Sequence, residues 1–230
     1  MTERSADRSP AAAPRRGVRI GVLAVQGAFR EHIDRLHELG VDAVAVRLPS
    51  DLEGVSGLIL PGGESTTMRK LIDRWGLRQP IEALLEQGTP VLGTCAGMIL
   101  LAREISDGDE PVFPRLDISV KRNAFGRQLD SFEAPLNVPV LGDRPVEAVF
   151  IRAPVVERVG PEVDVLARLD DGRVVAVRDG SVVATAFHPE LSGETRFHRL
   201  IATMASEWAE PAEGSGRRRH PLRRTRTAGR

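Results

Sequence analysis

The stretch Val91-Leu92-Gly93-Thr94-Cys95-Ala96-Gly97-Met98 admits few folds. A β-rich apolar run leads into it, and a helix-forming run, Met98 to Glu104, leads out. Between them lies Gly-x-Cys-x-Gly, the pattern of a side chain held on a sharp strand-to-helix turn. Its flanking glycines remove Cβ atoms that would clash in so tight a turn. Such a turn belongs to an α/β sheet with helices on its faces. Cys95 is the only cysteine in the 230 residues. At a helix N-terminus it would face unpaired backbone N–H groups and the positive end of the dipole, a setting that favours a reactive thiolate. A lone free cysteine is also commonly a buried structural residue. The local sequence leaves both readings open.

The chain before Cys95 follows the same plan. Val18 to Val25 reads as a buried strand, broken by Gln26-Gly27-Ala28. Phe29, Ile33, Leu36 and Leu39 then fall at helical spacing, and Gly40 is a stop. Val41 to Leu48 is a second strand, and Gly57 to Leu60 a short apolar third. Pro61-Gly62-Gly63-Glu64-Ser65-Thr66-Thr67 follows, where Ser65 or Thr66 can cap a helix carrying Met68, Leu71, Ile72 and Trp75 inward until Gly76. A further helix, Ile81 to Gln87, stops at Gly88. Short apolar strands alternating with amphipathic helices predict a parallel sheet covered on both faces. In the second half, Leu116–Lys121, Val146–Ile151, Val163–Leu169, Arg173–Arg178 and Val182–Phe187 are short β-like runs. Asp170-Asp171-Gly172-Arg173 and Asp179-Gly180-Ser181 are hairpin turns, so antiparallel strands are expected there. A closing helix spans about Glu194 to Trp208, with Phe197, Leu200, Ile201, Met204 and Trp208 facing in. The expected architecture is a three-layer α/β fold: an open, mostly parallel sheet flanked by helices, with antiparallel strands added in the C-terminal half.

Charge divides the chain into three parts. Of 32 basic and 32 acidic residues, eleven and three lie in the ends, Met1–Arg16 and Pro211–Arg230. The body keeps 21 basic and 29 acidic residues and is acidic, while the tail carries seven arginines. The tail has one leucine and no aromatic residue, too little apolar surface to fold alone. Residues 1–16 and 210–230 are therefore expected to be disordered extensions around a domain spanning 17–209, and no nucleic-acid partner is expected. One cysteine forms no intramolecular disulfide, no apolar run has membrane-spanning length, and the first sixteen residues lack a signal-peptide core. A cytoplasmic enzyme without membrane contact is expected.

A thiolate nucleophile needs a base that takes its proton and later protonates the leaving group. Of the five histidines, His220 lies in the tail, His32 and His37 belong to the first helix, and His198 is expected near the surface of the closing helix. His188 alone ends a β-run, on the rim where Cys95 is predicted. Glu190, two residues on, can accept from the imidazole and orient it. The Gly62-Gly63 turn ends a neighbouring strand. Acyl chemistry on an amide builds negative charge on the carbonyl oxygen, and two backbone N–H groups can hold it, each worth roughly 3 kcal/mol. The N–H of Ala96 is one donor, and a glycine amide of Gly62-Gly63 is the other. A phosphate loop is a poor fit, because no Gly-Lys-Ser/Thr follows. Metal ligation is poor too, since one cysteine and scattered histidines lack metal-site spacing.

Together, Pro61-Gly62-Gly63-Glu64-Ser65, Gly93-Thr94-Cys95-Ala96-Gly97 and Phe187-His188-Pro189-Glu190 resemble the class I, triad-type glutamine amidotransferases, which have a flavodoxin-like sheet. More specific stretches are Leu23–Ala28 with Glu31-His32, Gly63–Met68, Arg122–Gln128, Ser131-Phe132-Glu133 and Phe150–Pro154. These are similar to the glutaminase subunits of pyridoxal 5′-phosphate synthase, over about Val18 to Trp208. The glutaminase of another biosynthesis, such as imidazole glycerol phosphate formation, would share the triad but lack the Arg122–Gln128 and Phe150–Pro154 motifs. A non-catalytic interaction subunit is the other alternative, against which the intact Cys95, His188 and Glu190 speak. The resemblance implies hydrolysis of L-glutamine to glutamate and ammonia through a thioester on Cys95, with His188 and Glu190 completing the triad. It implies that Gly63, Glu64, Ser65, Arg122, Ile151 and Arg152 contact glutamine, that Gly63 and Ala96 form the oxyanion hole, and that no cofactor is bound. It further implies that ammonia passes to a synthase subunit. Twelve glutaminases would dock on its dodecameric core, with Gln26 and the first helix coupling docking to the oxyanion hole.

Overall fold

The computed structural model describes residues 17–122 and 131–209. The two expected extensions, and Asn123 to Gln128 of the Arg122–Gln128 motif, lie outside the described residues. In chain order the first half runs β1 (Arg19–Leu23), α1 (Phe29–Glu38), β2 (Asp42–Val46), β3 (Gly57–Leu60), α2 (Ser65–Arg74), α3 (Arg78–Glu86), β4 (Val91–Thr94) and α4 (Ala96–Leu101). The second half adds β5 (Ala102–Ile105), β6 (Leu116–Lys121), β7 (Ser131–Leu136), β8 (Val146–Ile151), β9 (Val155–Val159), β10 (Asp164–Arg168), β11 (Val174–Asp179), β12 (Val182–Thr185) and α5 (Arg196–Ala209).

Seven strands form the main sheet in the order β10-β11-β12-β4-β3-β1-β2. The five from β12 to β2 pair in parallel, and β10, β11 and β12 pair antiparallel. The chain moves one way across the sheet from β1 to β2 and the other way from β3 to β4. Right-handed crossovers then put α1 on one face and α2 and α3 on the other. α5 packs beside α1, and α4 beside α2. Strands buried on both faces are mostly apolar, and Gly57–Leu60 and Val91–Thr94 are buried at every position, with Thr94 the one polar side chain between them. A second sheet, β5-β6-β9, and the β7–β8 pair are the other sheets among the described residues. Phe132, Phe150, Phe187 and Phe197 form a ladder of rings 4.5, 5.5 and 5.6 Å apart, which ties β7 and β8 to the segment after β12 and to α5.

The glycine stops act as the sequence predicts, through one shared device. After α1, α2 and α3, Gly40, Gly76 and Gly88 take left-handed backbone with φ of 70°, 67° and 79°. Each glycine donates to the third-last carbonyl, and the next residue, Val41, Leu77 or Thr89, donates to the carbonyl of Leu36, Ile72 or Leu84. This is the Schellman pattern. It corrects one expectation: Trp75 falls at the cap of α2 and is 47% exposed, while Leu77 turns back and is fully buried in its stead. The α2 N-cap is Glu64, not Ser65 or Thr66, and its carboxylate accepts from the Thr66 and Thr67 N–H groups. The helix after Cys95 stops at Leu101, short of Glu104, because Ala102 to Ile105 pair with β6.

Candidate active site

Four neighbouring parallel strands, β12, β4, β3 and β1, end on one rim. Gln26 follows β1, Gly62 and Gly63 follow β3, Cys95 follows β4, and His188 follows β12. Open α/β sheets gather ligand groups at such ends.

Cys95 occupies strained backbone at φ 49°, ψ −102°. For a residue with a Cβ this costs about 1–3 kcal/mol and persists only where the surroundings enforce it. They do so here in two ways. The Cys95 N–H donates to Thr185 O at 2.8 Å, which fastens the turn to β12. A Cβ on Gly97 would lie 1.9 Å from Leu60 O, and one on Gly93 2.7 Å from Gly97 O, so only glycines let α4 start this close to the sheet. Cys95 Sγ lies 3.9 Å from Ile151 O, at the mouth of the turn.

His188 is held from three sides. Its N–H donates to Val149 O of β8 at 2.8 Å. Its Nδ1 is 2.8 Å from Glu190 Oε1, and Glu190 is 3% exposed. Gly62 lies flat against the ring, where a Cβ would be 2.2 Å from His188 Cε1. Burial works against a charged imidazole at this place. The hydrogen bonds and negative charge supplied by Cys95 and Glu190 overcome it and raise the His188 pKa to about 10. The ring therefore holds a proton at neutral pH.

A cleft of about 330 Å³ opens over these groups. Cys95, His188, Gly63, Glu64, Ser65, Arg122, Ile151 and Arg152 all border it, together with Gln26, Gly62 and Leu191. Ala96 and Glu190 stand behind the lining, 1% and 3% exposed. Several wall residues are already engaged. Glu64 caps α2 and accepts from the Thr67 hydroxyl at 2.6 Å, which lowers its carboxyl pKa. Arg122 is ion-paired with Asp107 at 2.8 Å and with Asp109, and donates to Thr66 Oγ1 at 3.1 Å. Arg152 has positive φ, 43°, beside the cleft. The Gly62 carbonyl accepts from Ala28 N–H at 3.0 Å, and Gln26 Oε1 accepts from Glu64 N–H at 2.8 Å. The loop after β1 thus clamps the Gly62-Gly63 turn on both sides.

Two histidines extend the site inward. His198, expected near the surface, is completely buried, and so is His32 of α1. His32 Nδ1 lies 2.8 Å from His198 Nε2, and His32 Nε2 lies 3.1 Å from Thr94 Oγ1 and 3.4 Å from Glu190 Oε2. Spacing carried the signal: His32 follows Phe29 by three and precedes Leu36 by four, and His198 precedes Ala202 by four and Ala205 by seven. Burial first, and then electrostatic interaction with the imidazoles of His198 and His188, lowers the His32 pKa well below the ordinary value. Burial, then Arg35, lowers that of His198 to about 4 against the opposing pull of Glu194. An unfolded histidine titrates near 6.5, so between pH 6.5 and 4 the unfolded chain binds protons that the folded chain refuses. Stability contributed by neutral His198 is present above pH 6.5 and lost as pH falls through this window, by about 3 kcal/mol. His32 acts in the same direction. Denaturant titrations at pH 6.5 and 4 should show a smaller acid loss in a His32→Gln/His198→Gln chain than in wild type. An equal loss in both would place the acid sensitivity elsewhere.

Residues 22–207 match the SNO glutamine amidotransferase family. The chain is 57% identical over 185 residues to the pyridoxal 5′-phosphate synthase subunit PdxT of Herpetosiphon aurantiacus, covering 79% of this chain and 97% of that one. It is 54% identical over 193 residues to PdxT of Clavibacter michiganensis, covering 83% and 92%. Among solved structures, one described as a glutamine amidotransferase superposes with a TM-score of 0.76 at 48% identity, over 81% of this chain and 98% of the other. A protein from Thermoplasma acidophilum, 19% identical with a TM-score of 0.60, shares the fold. By sequence and by structure, the chain belongs to the SNO glutamine amidotransferase family.

Proposed function

We propose that this chain hydrolyses L-glutamine to L-glutamate and ammonia through a thioester on Cys95, and that the ammonia feeds a synthase subunit forming pyridoxal 5′-phosphate from ribose 5-phosphate and glyceraldehyde 3-phosphate. One arrangement carries the reading: Cys95 on a strained turn and a proton-holding, Glu190-bound His188 face the same cleft. The names of the relatives support the synthase assignment.

Chemistry follows from the positions. The Cys95 sulfur attacks the side-chain amide carbon of glutamine, and the carbonyl oxygen becomes an oxyanion. The N–H of Ala96 and an amide of the Gly62-Gly63 turn are its donors. His188 gives its proton to the departing nitrogen, ammonia leaves, and the acyl group stays on sulfur. His188, now neutral, takes a proton from water as the water attacks the thioester, and glutamate departs. Glu190 keeps the imidazole turned toward sulfur throughout. At the other end of the substrate, Arg122 and Arg152 offer charge to the α-carboxylate, and Glu64 offers it to the α-ammonium group. Ser65 and Ile151 shape the wall between. The scheme uses no metal or cofactor.

A synthase core of twelve subunits carrying twelve glutaminases suits this division of labour. The clamp from Gln26 to Glu64 and from Ala28 to Gly62 gives docking a route to the oxyanion turn, because any shift at the start of α1 moves both bonds. The test measures glutamate release from glutamine, with and without the synthase subunit, for wild type and Cys95→Ala. Wild type should release glutamate, faster when docked, and Cys95→Ala should give none above background. A mutant that matches wild type would sink the thioester scheme.

A further inference from the structure

The Glu190 carboxylate has two oxygens, and the triad uses one. Oε1 faces His188 Nδ1, while Oε2 is enclosed with no hydrogen bond of ordinary length among the described residues. Its nearest cation-capable neighbour is His32 Nε2, at 3.4 Å. A buried carboxylate oxygen left bare costs several kcal/mol. We infer that His32 is a positioning residue for the glutaminase site, its Nε2–H anchoring Glu190 Oε2 so that the carboxylate stays turned to His188.

The inferred contact assigns the protons. A lone pair on His32 Nε2 would face a carboxylate oxygen, so Nε2 carries the hydrogen. That hydrogen lies between Thr94 Oγ1 at 3.1 Å and Glu190 Oε2 at 3.4 Å, both able to accept. Nδ1 is then the acceptor, and His198 Nε2–H donates to it across 2.8 Å. His198 thereby selects the tautomer of His32, as a second hydrogen bond commonly does for a functional imidazole. The row Cys95–His188–Glu190–His32–His198 draws on the turn after β4, the segment after β12, α1 and α5, four separate parts of the chain. His32 must donate without being charged. A cation at this place would compete with His188 for the same carboxylate. Its full burial beside His198 and His188 keeps it neutral.

His32 does not border the cleft, so it touches no substrate. Its removal should change turnover and leave glutamine binding alone. The proposal rests on the Cys95 reading above, and the two fail differently: an inactive wild type defeats that reading, whereas the comparisons below are made between active chains. In the full-length chain assayed with the synthase subunit, His32→Leu should lower kcat roughly 10- to 100-fold. KM should stay within about twofold, and the alkaline limb of the pH profile should move to lower pH as His188 loses its oriented carboxylate. His32→Gln, which carries an N–H at similar reach, should restore most of kcat and the profile. Wild-type kcat in His32→Leu, or a loss that Gln does not restore, overturns the assignment. Long-range 1H–15N NMR of the wild-type chain needs no variant. His32 should be protonated at Nε2 and bare at Nδ1 from pH 6 to 8, and the opposite tautomer overturns the assignment as well.

Discussion

His188→Asn should lower glutamate release by about four orders of magnitude or more and leave the fold in place. Asparagine can still reach Glu190 from the position of Nδ1, so the buried carboxylate keeps a donor. Nothing then reaches the sulfur. The thiol loses the group that takes its proton, and the leaving nitrogen loses the group that supplies one. These losses fall on the transition state, so kcat should fall far more than KM changes. Circular dichroism should match wild type, because Val149 O accepts from the backbone of residue 188 and not from its ring. Stability should change in a pH-dependent way. The raised His188 pKa, about 10 against an unfolded value near 6.5, gives a contribution fully present below pH 6.5 and lost as pH rises through 10. The Asn chain should lack that decline. Turnover within tenfold of wild type would move the base away from His188.

Much of the sheet was legible because buried parallel strands are short and mostly apolar and the helices between them end at glycines. Gly40, Gly76 and Gly88 act where the sequence puts them. The strands at β5, β7 and β9 were not legible. Ala102–Ile105 continues a helix-forming run, and only its partner β6, eleven or more residues on, turns it into a strand. Val155–Val159 pairs antiparallel with the same β6, and β7 carries Pro135, a poor strand former, in register with Glu147. Tertiary pairing decides all three, and local propensity does not. At the site, the strand-end rule brought Cys95, His188 and the Gly62-Gly63 turn to one rim. The second histidine layer escaped because His32 and His198 are 166 residues apart and polar residues on helices are ordinarily solvated. Their place on the apolar faces of α1 and α5 was the available sign.

Gly62 separates geometry from chemistry most sharply, since it carries no reactive group. A Cβ there would lie 2.2 Å from His188 Cε1 and 2.7 Å from Nδ1, closer than any real contact. The glycine cannot retreat far, because its carbonyl is held by Ala28 N–H and its strand is central in the sheet. The imidazole must yield. It is fixed at Nδ1 by Glu190, so displacement breaks either that bond or its alignment with Cys95. A misplacement of about 1 Å costs on the order of 100-fold in rate. Gly62→Ala should therefore lose at least about 100-fold in glutamate release, with a stability loss of only about 1–3 kcal/mol from overpacking. Gly97 makes the contrast: the atom a Cβ would strike is Leu60 O, main chain of β3, and no side chain can swing aside to absorb it. A Gly62→Ala chain that melts near wild type yet releases glutamate at an undiminished rate would show that the ring is free to move, and that its tight seat between Gly62 and Glu190 has no part in catalysis.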